Sequence, residues 1–175
     1  MLTGFQLRGA KEVLGLTSKD IANEIGLHYG TINRLCNTKN LDYLSCSVKT
    51  SLLLKKFLEE KDFLFLNEHT ISLKRDAGHN INQPAIDKMT RFQLKAARIA
   101  TSLTQEELSF YLKISSSSLS LLENKNNRDY IESNKINITN LKKFLGVIGI
   151  QFPDSFTATL TKDPQKLAKQ TLNSI

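Results

Sequence analysis

Apolar residues recur at helical spacing along the chain, and polar residues that commonly cap helices precede them. Thr3 and Gln6 have the spacing of a capping box, in which the threonine oxygen and the glutamine side chain satisfy free backbone groups at a helix start. They predict a first helix that runs to about Leu14. Thr17 and Asp20 mark a second helix start, and the carboxylate would lie in the first turn, where the helix dipole favours it.

The second half of the chain has the same two starts. Thr90 and Gln93 predict a helix that runs to about Thr101, and Thr104 with Glu107 forms a full capping-box pattern for the next helix. Each half therefore opens with two helices separated by a few residues.

In each half the second helix stops and a third helix begins shortly afterwards. Gly26 is the predicted stop in the first half, because glycine enters the left-handed region without a Cβ penalty, and the third helix begins near His28. In the second half Ser115 is the predicted N-cap. Lys113 replaces the glycine there, which predicts modest backbone strain.

A fourth helix and two short strands complete each half. The apolar spacing predicts helices from Val48 to Glu60 and from Ile138 to Ile148. The predicted strands cover residues 63–65, 70–73, 150–152 and 156–160, and each pair is joined by a short polar turn.

The two halves match each other when the sequence is shifted by 87 positions, without a gap from Thr3 to Asp76. Identical pairs include Thr3 with Thr90, Phe5 with Phe92, Gln6 with Gln93, Thr17 with Thr104, Tyr43 with Tyr130, and Leu54–Leu58 with Leu141–Leu145. Such self-similarity indicates an internal duplication.

The duplication predicts the domain organisation. Residues 1–75 form the first repeat and residues 89–161 the second, each ending in its hairpin. Residues 76–88 contain glycine, proline and several Asn and Asp without an apolar period, which is typical of a linker. Residues 162–175 are either a short helix that starts at Asp163 and Pro164 or a frayed tail.

Composition and charge favour a globular protein with an anionic partner. The net charge is +7, with 40% hydrophobic and 23% charged residues. Residues 1–87 carry 11 Lys and Arg against 10 Asp and Glu, a net charge of +1, whereas residues 88–175 carry 13 against 7, a net charge of +6. The lysine pairs at 55–56 and 142–143 recur in both repeats and indicate either phosphate contacts or a solvated helix face.

Other classes of protein find little support in the sequence. No apolar run reaches the roughly 20 residues of a membrane helix, and the N-terminus has no signal-peptide layout. Cys36 and Cys46 lack metal-ligand spacing and fit a reducing cytoplasm, and the three histidines are scattered, so we expect no metal and no cofactor. We find no nucleophile–base pair and no phosphate loop, and therefore expect no enzyme.

The two runs LTSKDIANEIGLHYGTINRL and LTQEELSFYLKISSSSLSLL resemble the helix-turn-helix of the lambda-repressor/Cro-type (XRE-like) family. The family's opening, Leu-Thr-Gln-Glu-Glu-Leu, is present without a change at residues 103–108, and Gly149–Phe152 is similar to the strand of a subgroup that follows the helices with a hairpin. The resemblance implies a mainly α fold with small β: tandem lambda-repressor-like helix-turn-helix domains, each followed by a short β-hairpin.

The resemblance also implies which residues meet DNA, since the second helix of the motif can enter the major groove. In the first repeat these are Ser18, Lys19, His28, Tyr29, Gly30, Thr31, Asn33 and Arg34. Arg34 and Asn33 are the predicted base readers, because arginine bonds guanine and asparagine bonds adenine in a bidentate way. The alternatives are that Arg34 covers apolar surface or binds phosphate, and that Tyr29 packs on the turn.

The second repeat departs from the family. Its candidate DNA contacts are Gln105, Ser115, Ser116, Ser117 and Ser120. The usual arginines are missing, and Leu121 stands where the first repeat has Arg34. Serines discriminate bases poorly, so this surface predicts weak or positioning DNA contacts, a solvated helix start, or a protein contact through Leu121.

One scaffold feature of the family, an ion pair between the first and third helices, is preserved in the second repeat only. A late glutamate of the third helix pairs with a basic residue on the first helix, and Glu123 with Arg98 preserves this pair. In the first repeat Cys36 stands opposite Lys11, so the pair is absent there.

These observations predict a cytoplasmic, bacterial, sequence-specific transcription regulator that binds double-stranded DNA. Two non-identical recognition helices, about 34–36 Å apart, would read an asymmetric site. The alternative is a protein-binding regulator, antitoxin-like or an anti-activator, that uses the helix-turn-helix surface to hold another protein. A homodimer is a further possible assembly.

Overall fold

The chain divides into two compact units, residues 1–74 and residues 75–175. The computed structural model describes residues 1–75, 87–132 and 136–172, and of residues 171 and 172 only the helical backbone. Residues 76–86 of the predicted linker lie outside the described residues, as do residues 173–175 of the predicted tail.

The first unit consists of four helices followed by a hairpin. Its elements are α1 (Gly4–Leu14), α2 (Ser18–Ile25), α3 (Tyr29–Cys36), α4 (Val48–Glu60), β1 (Phe63–Leu64) and β2 (Thr70–Leu73). The two strands pair antiparallel, with Phe63 opposite Leu73. The predicted bounds of α4 are confirmed.

The described part of the second unit has the same order of elements and one further helix. Its elements are α5 (Arg91–Thr101), α6 (Gln105–Leu112), α7 (Ser116–Glu123), α8 (Ile138–Ile148), β3 (Ile150–Gln151), β4 (Thr157–Leu160) and α9 (Gln165–Leu172). Ile150 lies opposite Leu160 in the antiparallel strand pair. The fold is thus mixed, with helices over most of the described chain and small antiparallel strands.

The cores of the two units are built from equivalent positions. Fully or nearly fully buried side chains of the first unit include Phe5, Leu7, Ile21, Ile32, Leu35, Leu54, Leu58 and Phe63; their counterparts include Phe92, Leu94, Leu108, Leu119, Leu122, Leu141, Leu145 and Ile150. Helix amphipathicity therefore accounts for the burial of one face of each helix.

The threonine and glutamine at the start of α1 have a second role that the sequence did not show. They close the predicted capping box, and they also reach the hairpin turn. Thr3 Oγ1 donates to the carbonyl oxygen of Glu68 at 3.0 Å, and Gln6 Nε2 donates to the carbonyl oxygen of Asn67 at 2.6 Å. Because both side chains are buried, these bonds tie the start of α1 to the turn between β1 and β2.

The second unit repeats this tie at the equivalent residues. Thr90 Oγ1 donates to the carbonyl oxygen of Ser155 at 2.7 Å, and Gln93 Nε2 donates to that of Asp154 at 2.6 Å. The identical Thr-x-x-Gln pattern in the two halves therefore specifies the same helix start and the same attachment of the hairpin.

Three of the predicted strands are one residue shorter in the structure, each at the turn of its own hairpin. β1 ends at Leu64 instead of residue 65, and β3 ends at Gln151 instead of residue 152. β4 begins at Thr157, because the Asp154 carboxylate accepts the backbone N–H of Phe156 at 2.8 Å and holds that residue in the turn. Of the two interpretations of the tail, the structure has the short helix over residues 165–172.

The carboxylates that cap α2 and α6 are predicted to make both helix starts sensitive to acid. Hydrogen bonds from Thr17 lower the pKa of Asp20, and the backbone N–H of Thr104 lowers that of Glu107. A lowered pKa in the folded state stabilises the fold above the ordinary carboxyl range, about pH 4, and that contribution is lost as the pH falls below it. Amide protection factors at both helix starts should therefore fall below about pH 4, whereas equal protection factors at pH 3 and pH 6 would contradict this.

Each unit has three residues in the left-handed backbone conformation, at equivalent positions in the two units. In each pair of equivalent residues, one is a glycine. At the end of the second helix of each unit, Gly26 has φ 69° and Lys113 has φ 55°. The same holds for Gly15 with Ser102 and for Gly149 with Asp62. A residue with a Cβ is strained in this region by about 1–2 kcal/mol, so Lys113 carries the strain that the sequence predicted.

Lys113→Gly is therefore expected to raise the free energy of unfolding by about 1 kcal/mol, and Gly26→Lys to lower it by a similar amount. Apart from its two chain neighbours, no heavy atom of the described structure lies within 4 Å of a Cβ built on Gly26, so the strain comes from φ alone. Urea unfolding followed by circular dichroism measures both variants. Equal stability of the two variants and the wild type would contradict the assignment.

Candidate nucleic-acid interface

Helices α2 and α3 are joined by three residues, and buried side chains hold both helices against the core of the first unit. Gly26 ends α2 in the left-handed conformation, and His28 is the N-cap of α3. Ile21 on α2 and the α3 residues Ile32 and Leu35 are fully buried. The opposite face of α3 must therefore point to solvent.

That outward face carries the predicted readers. Tyr29 is 57% exposed, Asn33 and Arg34 are exposed, and Gly30 and Thr31 are half-buried. An amide, a guanidinium and a phenol thus lie on one exposed helix face, which is the chemistry that bonds base edges and phosphates.

The exposed residues at the start of α3 are held by local contacts. His28 Nδ1 accepts the backbone N–H of Gly30 at 3.2 Å, and the rings of His28 and Tyr29 lie 4.9 Å apart. The Arg34 guanidinium donates through Nη1 to the carbonyl oxygen of Ser45 at 3.1 Å. Since a guanidinium has five N–H donors, this bond orients the side chain and uses one of them.

Ser18 and Lys19, the other predicted contacts of the first unit, begin α2. Lys19 is exposed, whereas Ser18 is half-buried. Burial raises the pKa of the Cys36 thiol, and a hydrogen bond from Ser18 and the charge of Lys11 oppose that rise. Ser18 thus has a contact with the end of α3 besides the predicted role at DNA.

Arg8 on α1 holds the end of α3, a role that the sequence analysis missed. Its Nη1 donates to the carbonyl oxygen of Cys36 at 2.8 Å and also to that of Thr38, and Nη2 donates to Asn40 Oδ1 at 2.6 Å. Carbonyl groups at a helix C-terminus lack partners within the helix, so a guanidinium there stabilises the helix end. Arg8 therefore fixes the position of α3 relative to α1.

In the second unit a different arginine makes the equivalent contact. Arg91 Nη1 donates to the carbonyl oxygen of Leu122 at 3.2 Å, near the end of α7. Arg91 corresponds to Gly4, where a Cβ would collide with the carbonyl oxygens of Thr38 and Lys39. The two units hold the third helix from different positions on the first helix.

The serines at the start of α7 are bonded to one another. Ser115 Oγ accepts the backbone N–H of Ser118 at 3.1 Å and lies 2.9 Å from Ser117 Oγ. Ser116 Oγ lies 3.0 Å from Ser109 Oγ, and Ser120 Oγ accepts from the side chain of Asn124. Ser115, Ser116 and Ser117 are exposed and Ser120 is half-buried.

Gln105 contributes to a buried ionic cluster. Arg98 donates to Glu123 through Nε at 2.7 Å and Nη2 at 3.0 Å, as the resemblance implied, and Gln105 Nε2 donates to Glu123 Oε2 at 2.7 Å. Arg98 is 7% exposed and Glu123 is 1% exposed. The Gln105 amide therefore supports the helix pair, and a contact of this residue with DNA remains a prediction.

The comparisons with known proteins give no further assignment. No family model, no curated protein and no solved structure matches the chain. Among residues 1–75, 87–132 and 136–172 no group of three or more His, Cys, Asp or Glu could hold a metal ion, and no helix is long and apolar enough to cross a membrane. The candidate site therefore depends on the geometry of α2, α3, α6 and α7.

Proposed function

We propose that the protein is a sequence-specific regulator that binds double-stranded DNA through two tandem helix-turn-helix repeats of lambda-repressor/Cro type, in the cytoplasm of a bacterium. The observation that supports this most is the outward face of α3, where Asn33 and Arg34 are exposed beside Tyr29 while Ile32 and Leu35 anchor the helix.

The first unit determines which DNA sequence the protein binds. Arg34 bonds the O6 and N7 atoms of a guanine, and Asn33 bonds the N6 and N7 atoms of an adenine, in the major groove. Lys19, His28 and Tyr29 bond phosphates and fix the register of the helix. Since α3 and α7 carry different side chains, the site is asymmetric.

The second unit contributes affinity for DNA that depends less on the base sequence of the duplex. Residues 88–175 carry a net charge of +6, whereas α7 has Ser120 and Leu121 in place of Asn33 and Arg34. Lysines that neutralise phosphates release counterions, so their contribution falls with added salt.

Selection from a random duplex library followed by a gel shift tests the proposal. Wild-type protein should enrich one asymmetric sequence, and Arg34→Ala should bind that sequence more weakly at unchanged ionic strength. Failure to enrich any sequence would overturn the proposed function.

Lys125→Ala tests the contribution of the second unit. Lys125 is exposed and follows Asn124, the C-cap of α7. The variant should bind all duplexes more weakly, and the slope of log K against log salt should fall by about 0.9. Lys166→Ala, an exposed lysine on α9, serves as a control of equal charge. Identical slopes for wild type and both variants would count against phosphate binding at the end of α7.

A protein-binding regulator is the second candidate, and the exposure of Leu121 favours it. This side chain is 66% exposed at the position where α3 has Arg34. Under that function no duplex would be enriched in the selection, which separates it from the first proposal.

A further inference from the structure

The apolar residue on the outward face of α7 is Leu121. It is 66% exposed, although the neighbouring Leu119 and Leu122 are buried in the unit. By the internal repeat it takes the place of Arg34 on α3. A leucine at this position cannot donate to guanine, so a base contact through it must be apolar.

Polar side chains surround Leu121 on its helix. Residues three and four positions away share its face, and these are Ser117, Ser118, Asn124 and Lys125, all exposed. The serine hydroxyls are bonded within the start of the helix, since Ser115 Oγ donates to Ser118 Oγ at 2.8 Å. Residues 116–123 contain no Lys or Arg. Within the helix the face therefore has one aliphatic group among hydroxyls and an amide, and Lys125 lies just beyond the helix end.

This arrangement fits a small apolar partner better than an apolar protein surface. Protein-contact patches cover several hundred Å² of contiguous apolar area. The other strongly exposed apolar residue of the helix pair, Phe110, lines a cleft of about 600 Å³ with Ile136 and Leu141, and Leu121 is outside that lining. Leu121 is therefore a single exposed apolar side chain whose neighbours on its own helix face are polar.

Thymine presents a single apolar group, its 5-methyl, in the major groove, and apolar side chains read it by contact. We propose that Leu121 selects thymine through this methyl group in the half of the site that α7 contacts. The inference rests on the proposed DNA-binding function and names a base contact that the serines alone cannot provide, because hydroxyls bond several bases equally well.

Replacement of thymine by deoxyuridine tests the contact, because it removes the methyl group and keeps the base pair. Each thymine of the selected duplex is replaced singly, and the dissociation constants are measured by fluorescence anisotropy. One or two replacements in one half of the site should weaken wild-type binding about fourfold, the effect of exposing one buried methyl group. Leu121→Ala should bind the thymine and deoxyuridine duplexes equally at those positions.

Two further variants make the result specific. Val147→Ala removes an aliphatic side chain that is 72% exposed on α8, and this variant should keep the fourfold preference for thymine. Leu121→Met keeps an apolar side chain, and this variant should keep most of the preference for thymine. A deoxyuridine effect that is the same in wild type and Leu121→Ala, or no effect at any thymine, overturns the inference and leaves the proposed function standing. Failure to select any duplex overturns both.

Discussion

Glu123→Ala is expected to lower the free energy of unfolding of the second unit by about 3–5 kcal/mol, because it leaves the guanidinium of Arg98 buried without its counter-charge. Arg98 and Glu123 are nearly inaccessible and are joined by two hydrogen bonds. Gln105 would lose its acceptor as well. A loss of this size is a large share of the 5–15 kcal/mol that stabilises a typical domain. Urea unfolding measures it.

Two further variants separate a buried charge from general damage. Glu106→Ala removes an exposed carboxylate from the same unit and should change stability by less than about 1 kcal/mol. Arg98→Met combined with Glu123→Leu removes both charges and should be more stable than Glu123→Ala alone. If Glu123→Ala unfolds at the same urea concentration as the wild type, the pair does not support the second unit.

Arg34→Ala is expected to reduce binding to the selected duplex by roughly 5- to 150-fold, the equivalent of about 1–3 kcal/mol for one bidentate base contact. The loss should be confined to one guanine: changing that base pair should weaken the wild-type protein and leave the variant unaffected. Because Arg34 is exposed, the free energy of unfolding of the Arg34→Ala variant should stay within about 1 kcal/mol of the wild-type value. Fluorescence anisotropy with both duplexes measures the discrimination.

Lys56→Ala is the matched control for lost charge in the first unit. Lys56 is exposed on α4 and lies 4.0 Å from Glu60, an i,i+4 pair on a solvated face. This variant should keep the discrimination of the wild type. If Arg34→Ala instead weakened binding equally for every duplex, Arg34 would be a phosphate contact, the alternative that the sequence left open.

The helix starts were predictable because they depend on residues close together in sequence. Thr3 with Gln6 and Thr104 with Glu107 form capping boxes as predicted, and the bounds of α4 and α8 agree with the apolar spacing. The left-handed backbone at Lys113 was also predicted, since the internal repeat aligns it with a glycine.

The contacts that hold the candidate site were harder to predict, because they join residues far apart in sequence. Arg8 meets carbonyl groups about 30 positions away, and its counterpart at that position is Lys95, so the repeat alone gave no signal. Gly4 and Arg91 are equivalent positions of the two repeats, so the second repeat alone has an arginine at the start of its first helix. This difference was the one clue in the sequence to the contact of Arg91. The bond of Gln105 to Glu123 was not predicted, because it depends on how α6 packs on α7, and a contact of Gln105 with DNA remains a prediction.

The exposed face of α3 is the centre of this account, and nuclear magnetic resonance titration with the selected duplex tests it most directly. At physiological salt, the largest changes in amide and side-chain chemical shift should fall on residues 28–34, including the Asn33 side-chain amide and the Arg34 guanidinium. Changes that leave α3 untouched and fall elsewhere on the first unit would contradict the claim that this helix enters the groove.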